Sequence, residues 1–139
     1  MDFKKPIVPG GSFTWEEYAW LREFKAYGQP TAAQRSNAVF LFTELEPLRK
    51  ELGKPLIITS GARTAEYTAH LRRKGIPAAP RSAHNEWKAV DLICPGMKTP
   101  ELWKWFDKRW KGRIEVLEAT PTWVHLDVRD FGKRIRFKP

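Results

Sequence analysis

Apolar residues along the chain recur at helical and strand periods and divide it into elements. Thr14 followed by Glu17 has the form of a capping box, and Tyr18, Leu21 and Phe24 continue at helical spacing until Gly28 and Pro30, predicting a first helix. Thr31 with Gln34 opens a second box, and Leu41, Leu45, Leu48 and Leu52 carry a longer helix to Gly53. After Pro55 the short β-branched run Leu56, Ile57, Ile58 and Thr59 predicts a buried strand that ends in Ser60-Gly61-Ala62-Arg63. A third helix is expected from Thr64 to Lys74, followed by a loop with Pro77 and Pro80 that leads to Ser82 and His84.

Ala89 to Ile93 has the composition of another strand, stopped by Pro95 and Gly96. Thr99 as N-cap with Pro100 at the first helical position then predicts a helix ending at Gly112, with Leu102, Phe106 and Trp110 on its buried face. Arg113–Leu117, Trp123–Val128 and Arg134–Phe137 are expected as three closing strands, separated by turns at Pro121 and Gly132. N-terminal helices followed by a mainly antiparallel sheet define an α+β class. A chain of 139 residues fits one core and hence a single domain over 1–139. No internal repeat, low-complexity segment or linker interrupts it.

Charge changes the picture next. Lysine and arginine number 25 against 16 acidic residues, a net charge of +9, so the surface favours anionic partners, whether nucleic acid or an anionic cell envelope. The basic residues are spread, with Arg72-Arg73-Lys74 and the tail Lys133, Arg134, Arg136 and Lys138 the densest places, and a plain solubilising surface is the bland alternative. The single cysteine, Cys94, excludes an internal disulfide framework and any Cys-rich zinc motif. No segment has the length of a membrane span, and the start of the chain lacks the apolar stretch of an export signal. The expectation is synthesis in the cytoplasm; any action on a cell wall would then follow release.

The chemistry concentrates in few residues. Of three histidines, His84 is followed after six residues by Asp91, and His125 stands in Trp123-Val124-His125-Leu126-Asp127. Zinc accepts imidazole nitrogen and carboxylate oxygen, and a catalytic site uses three protein ligands with the fourth position left to water or substrate. Strand alternation puts Trp123, His125 and Asp127 on one face and Val124, Leu126 and Val128 on the other, and Asp91 on a neighbouring strand would bring its carboxylate beside His125. Taken singly, each residue also has a purely structural reading: a loop histidine, an edge carboxylate, a satisfied strand histidine.

Four segments together resemble the M15 family of zinc peptidases, which includes D-alanyl-D-alanine carboxypeptidases and phage endolysins that cut L-alanyl-D-glutamate bonds. They are Phe13-Thr14-Trp15-Glu16-Glu17, Thr59-Ser60-Gly61-Ala62-Arg63, Ser82-x-His84-x6-Asp91 and Trp123-x-His125-x-Asp127, in the family's order and over nearly the whole chain. The resemblance implies a hedgehog/DD-peptidase-like fold, one Zn2+ per chain on His84, Asp91 and His125, and a peptidoglycan peptide as substrate. It further implies substrate-side contacts from Arg63 and Ser82, and Asp127 as the residue that orients a ligand imidazole.

The chain departs from the family's pattern twice. Trp87 fills the place of a glycine within His-x-x-Gly-x-Ala-x-Asp, where it either narrows a cleft or packs. Thr122 stands three positions before the last histidine, where many relatives carry the acidic general base. Glu118 is then the nearest upstream carboxylate and the expected catalytic base, with Glu115 and Asp127 as rivals. The function implied is hydrolysis of stem peptides by a phage-type endolysin, as an L-alanyl-D-glutamate endopeptidase or a D-alanyl-D-alanine carboxypeptidase. A zinc-stabilised structural or wall-binding module of the same fold is one alternative. A basic nucleic-acid-binding domain stacking bases on some of the seven tryptophans is another, although most tryptophans fall at core-like positions.

Overall fold

The computed structural model describes residues 1–139. Helix α1 (Trp15–Ala19) starts at the predicted box: the Glu17 amide donates to Thr14 Oγ1 and the Thr14 amide to Glu17 Oε1 at 3.1 Å. It is far shorter than the apolar spacing suggests. The Tyr18 carbonyl accepts from the Ala62 amide and the Ala19 carbonyl from the Gly28 amide, both at 2.8 Å, so acceptors that a continuing helix needs are engaged elsewhere. The chain instead makes a small hairpin of β1 (Trp20–Leu21) and β2 (Ala26–Tyr27), and Leu21 turns into a satellite cluster with Tyr67 and Leu71.

Helix α2 (Ala32–Leu52) follows the second capping box and ends, as predicted, at Gly53, whose φ of 67° suits a residue without Cβ. Strand β3 (Ile57–Ser60) leads to α3 (Ala65–Arg73), capped by Thr64. A single 3-10 turn over Ala83–Glu86 precedes β4 (Ala89–Ile93). Helix α4 (Thr99–Asp107) begins one residue earlier than predicted, with Lys98 at the N-cap. It stops well before Gly112, yet Trp110 beyond its end is still buried and donates from Nε1 to the Asp127 carbonyl at 3.1 Å. Strands β5 (Arg113–Glu115), β6 (Val124–Asp127) and β7 (Arg136–Phe137) complete the fold.

The five-stranded sheet runs β3-β4-β6-β5-β7, antiparallel throughout except for the parallel pair β5–β7. The architecture is α+β, as expected. Position β3 is the exception to the sequence reading: it is the edge strand rather than a buried one, and Ile57 is 46% exposed. Strand alternation sends Val90, Leu92, Ile114, Val124 and Leu126 into one core of 22 buried residues shared with Leu41, Phe42 and Leu45 of α2 and Leu102 and Phe106 of α4. By the same alternation, Asp91, His125 and Asp127 stand on the opposite face of the sheet.

Candidate metal centre

Each of the three expected ligands is fixed by a different backbone device. Asp91 and His125 are register partners across the β4–β6 ladder, which sets their side chains side by side on one face. His84 sits on the 3-10 turn, whose first amides are satisfied in part by Ser82 Oγ accepting from the His84 amide at 3.2 Å. The His84 carbonyl accepts from the Arg63 amide, and His84 Nδ1 donates to the Gly61 carbonyl at 2.7 Å. A Cβ on Gly61 would overlap the Tyr18 carbonyl, so this close approach requires glycine.

All three side chains are buried, and their ligand atoms lie within 4.8 Å of one another. Asp91 Oδ1 is 2.9 Å from His125 Nδ1 and 3.3 Å from His84 Nε2. A tetrahedral ion with ligands at about 2.0–2.1 Å spaces those ligands roughly 3.3 Å apart, so the donor set fits zinc in type, number and spread. Because a carbonyl can only accept, the Gly61 contact fixes the proton of His84 on Nδ1 and leaves the Nε2 lone pair facing the centre. His125 Nε2 is likewise held by Asp127 Oδ2 at 2.9 Å, which leaves Nδ1 facing Asp91 and free to bind a metal ion.

Asp127 is fully buried and is itself tied down by Arg129, whose amide and Nε donate to Oδ1 at 3.0 and 3.1 Å and whose Nη2 donates to Oδ2 at 2.8 Å. Arg129 lies over the Phe137 ring, which meets the His125 ring edge-on at 5.7 Å. Asp127, expected from the sequence to orient a ligand imidazole, stands 2.9 Å from His125 Nε2. Arg129 was not singled out from the sequence, although His125, Asp127 and Arg129 alternate along one strand direction and that spacing pointed to it.

Two carboxylates around two imidazoles leave clear electrostatic marks. Burial disfavours a charged His125, but its hydrogen bonds to Asp127 and Asp91 outweigh that and raise its pKa to about 9 in the absence of metal. Burial pushes Asp91 upward, but the charge of His84 and the hydrogen bond from His125 prevail and hold it well below the usual carboxylate range. Asp127 is lowered in the same way, with burial overcome by His125 and Arg129.

The remaining expected residues are placed as follows. Glu118 lies exposed in the turn between β5 and β6, and Thr122 is exposed as well. Glu115 is half-buried on β5, one step beyond the Ile114↔Leu126 pair and therefore opposite His125 on the same face of the sheet. Burial raises its pKa, and it feels the charges of His125, Asp91, His84 and Asp127. Arg63 is half-buried, with Nη2 donating to Ser60 Oγ at 3.1 Å. Ser82 is engaged as the cap of the 3-10 turn.

Trp87 is fully buried in the core, edge-on to Tyr18 at 5.8 Å, and so packs rather than narrowing a cleft. Its φ of 61° is left-handed. That explains why the family pattern has glycine here: the turn after the first histidine needs αL backbone whatever the side chain.

A family model described as Peptidase M15 matches residues 13–127. The chain belongs to the Peptidase M15 family. The matched span contains all three candidate ligands, Arg63, Ser82, Glu115, Glu118 and Asp127. No curated protein matches the chain. M15 members are metallopeptidases, and the His84–Asp91–His125 cluster could hold a metal ion. No helix of this M15 protein is long and apolar enough to cross a membrane.

Proposed function

We propose that this M15 protein is a zinc-dependent peptidase that hydrolyses the stem peptides of bacterial peptidoglycan, in the manner of a phage endolysin. The observation that carries the reading is the buried His84–Asp91–His125 cluster with a half-buried carboxylate, Glu115, on the neighbouring strand. When bound there, zinc supplies Lewis acidity toward the scissile carbonyl and lowers the pKa of water.

The protein's own residues do the rest. Glu115 takes the proton of the attacking water and passes it to the leaving amine, since its raised pKa brings it toward the range useful to a base near neutral pH. Glu118 occupies an exposed turn, and its place in the chain is the only support for assigning it the same role. Asp127 and Arg129 hold His125 in one tautomer and orientation. Arg63 offers a guanidinium to a peptide carboxylate. The net charge of +9 suits an anionic envelope that concentrates the enzyme on its substrate.

Digestion of purified peptidoglycan by the zinc-loaded protein, followed by mass spectrometry, tests this reading. Loss of a terminal alanine identifies a carboxypeptidase; new glutamate N-termini identify an L-alanyl-D-glutamate endopeptidase. The absence of any cleavage across several wall types would contradict the proposal.

A further inference from the structure

A cleft of about 410 Å3 lies beside the metal centre without including its ligands. Its wall includes Ile58, Thr59, Ser60, Gly61, Ala62 and Arg63 in unbroken succession. Side chains alternate along a strand, so consecutive residues share one cavity wall only where the backbone edge forms that wall. Strand β3 is the terminal strand of its sheet, and outside the β3–β4 ladder no hydrogen bond engages the backbone of residues 57–60. Its sequence, Ile-Ile-Thr-Ser, carries neither charge nor proline to discourage pairing.

The opposite wall is formed by the β1–β2 hairpin and by α3 with the segment after it, through Trp20, Arg22, Tyr67, Leu71 and Ile76. Apolar surface gathers at this rim: Trp20 is 44% exposed and Ile76 40%. The cleft is lined by Glu17 and Glu23 and by Arg22 and Arg63. Glu23 is paired with Lys74 at 2.8 Å and Glu17 hydrogen-bonds Thr14, whereas Arg22 and Arg63 make no salt bridge and are the cations left to meet a ligand. The cleft also abuts the metal centre, because Gly61 bonds His84 and Ser60 is the register partner of Asp91.

We infer that this cleft binds the extended, acidic flank of the peptide substrate, whose main-chain amides hydrogen-bond along the free edge of β3 and whose carboxylates meet Arg22 and Arg63. Strand addition supplies affinity without demanding particular side chains, and the two guanidinium groups select for carboxylates. The inference rests on the cell-wall peptidase reading, from which the acidic occupant is taken.

The test titrates the zinc-loaded, 15N-labelled protein with the stem pentapeptide L-Ala-γ-D-Glu-L-Lys-D-Ala-D-Ala and with the same peptide amidated at its carboxylates. Amide shifts are expected at residues 58–63 and at Arg22. Affinity should fall about tenfold on amidation and by a similar factor in Arg22→Glu, the loss of one charged hydrogen bond. Lys54→Glu, an exposed residue outside the cleft with the same charge change, should bind as wild type does. Where the peptide is cleaved, Arg22→Glu should raise KM and leave kcat unchanged.

Equal binding by wild type and Arg22→Glu, or shifts that spare residues 58–63, would overturn the inference even if peptidoglycan is cleaved. Carboxylate-dependent shifts in the cleft without cleavage of peptidoglycan would support it and count only against the peptidase reading.

Discussion

Asp91 Oδ1 stands within hydrogen-bond range of His125 Nδ1 and close to His84 Nε2, and neither imidazole can satisfy it without a proton or a metal. The residues behind the ligands decide how well a metal replaces the proton. Asp127→Asn removes the negative charge and replaces one of the two acceptor oxygens by an NH2 donor, so the bonds to His125 and to Arg129 cannot all be kept. Zinc affinity, measured by chelator competition, should fall about 10- to 100-fold. At Glu115 the expectation is different: Glu115→Gln should keep zinc affinity and lower kcat by about 10²- to 10⁴-fold, while Glu118→Gln stays near wild type. The reverse pattern in a peptidoglycan digest would return the base to Glu118.

Among the elements, local patterns were readable where local forces decide. The boxes Thr14/Glu17 and Thr31/Gln34 mark two helix starts because each cap is satisfied within four residues. The alternation of His125 and Asp127 with Leu126 places the polar pair opposite the core, as found. What was hidden depends on distant partners. Helix α1 ends early because Ala62 and Gly28 claim its carbonyls, and no spacing of Leu21 or Phe24 reveals that. Edge placement of β3 is likewise a property of the sheet order. That Glu115 stands opposite His125 emerges only once β5 is paired with β6.

The turn that carries His84 supplies a prediction at this scale. Trp87→Gly would relieve about 1 kcal/mol of left-handed strain, but it would empty the space of a fully buried indole, a loss of about 3–5 kcal/mol. The net destabilisation of roughly 2–4 kcal/mol should appear as a lower urea midpoint at an unchanged slope.

For the whole molecule, pH and metal are linked through His125. Its folded pKa of about 9 lies above the ordinary value of 6.5, so the folded state binds the proton more tightly. The stability from this group is therefore complete below about pH 6.5 and is lost as pH rises through about 9. Metal-free protein should lose stability on the order of 3 kcal/mol across that window, measured by urea denaturation at each pH. Zinc takes the place of the proton, so the loaded protein should be more stable, and increasingly so relative to the metal-free form as pH rises. A metal-free protein equally stable at pH 6.5 and 9 would contradict the hydrogen-bonded arrangement around His125.

The central claim joins the metal to the cleavage of wall peptide, and a zinc titration of the metal-stripped protein tests both at once. With purified peptidoglycan as substrate, amine release should rise in proportion to added zinc and level off at one ion per chain, with His125→Ala inactive throughout. Cleavage that persists in excess chelator, or no cleavage at one zinc per chain, would contradict the account.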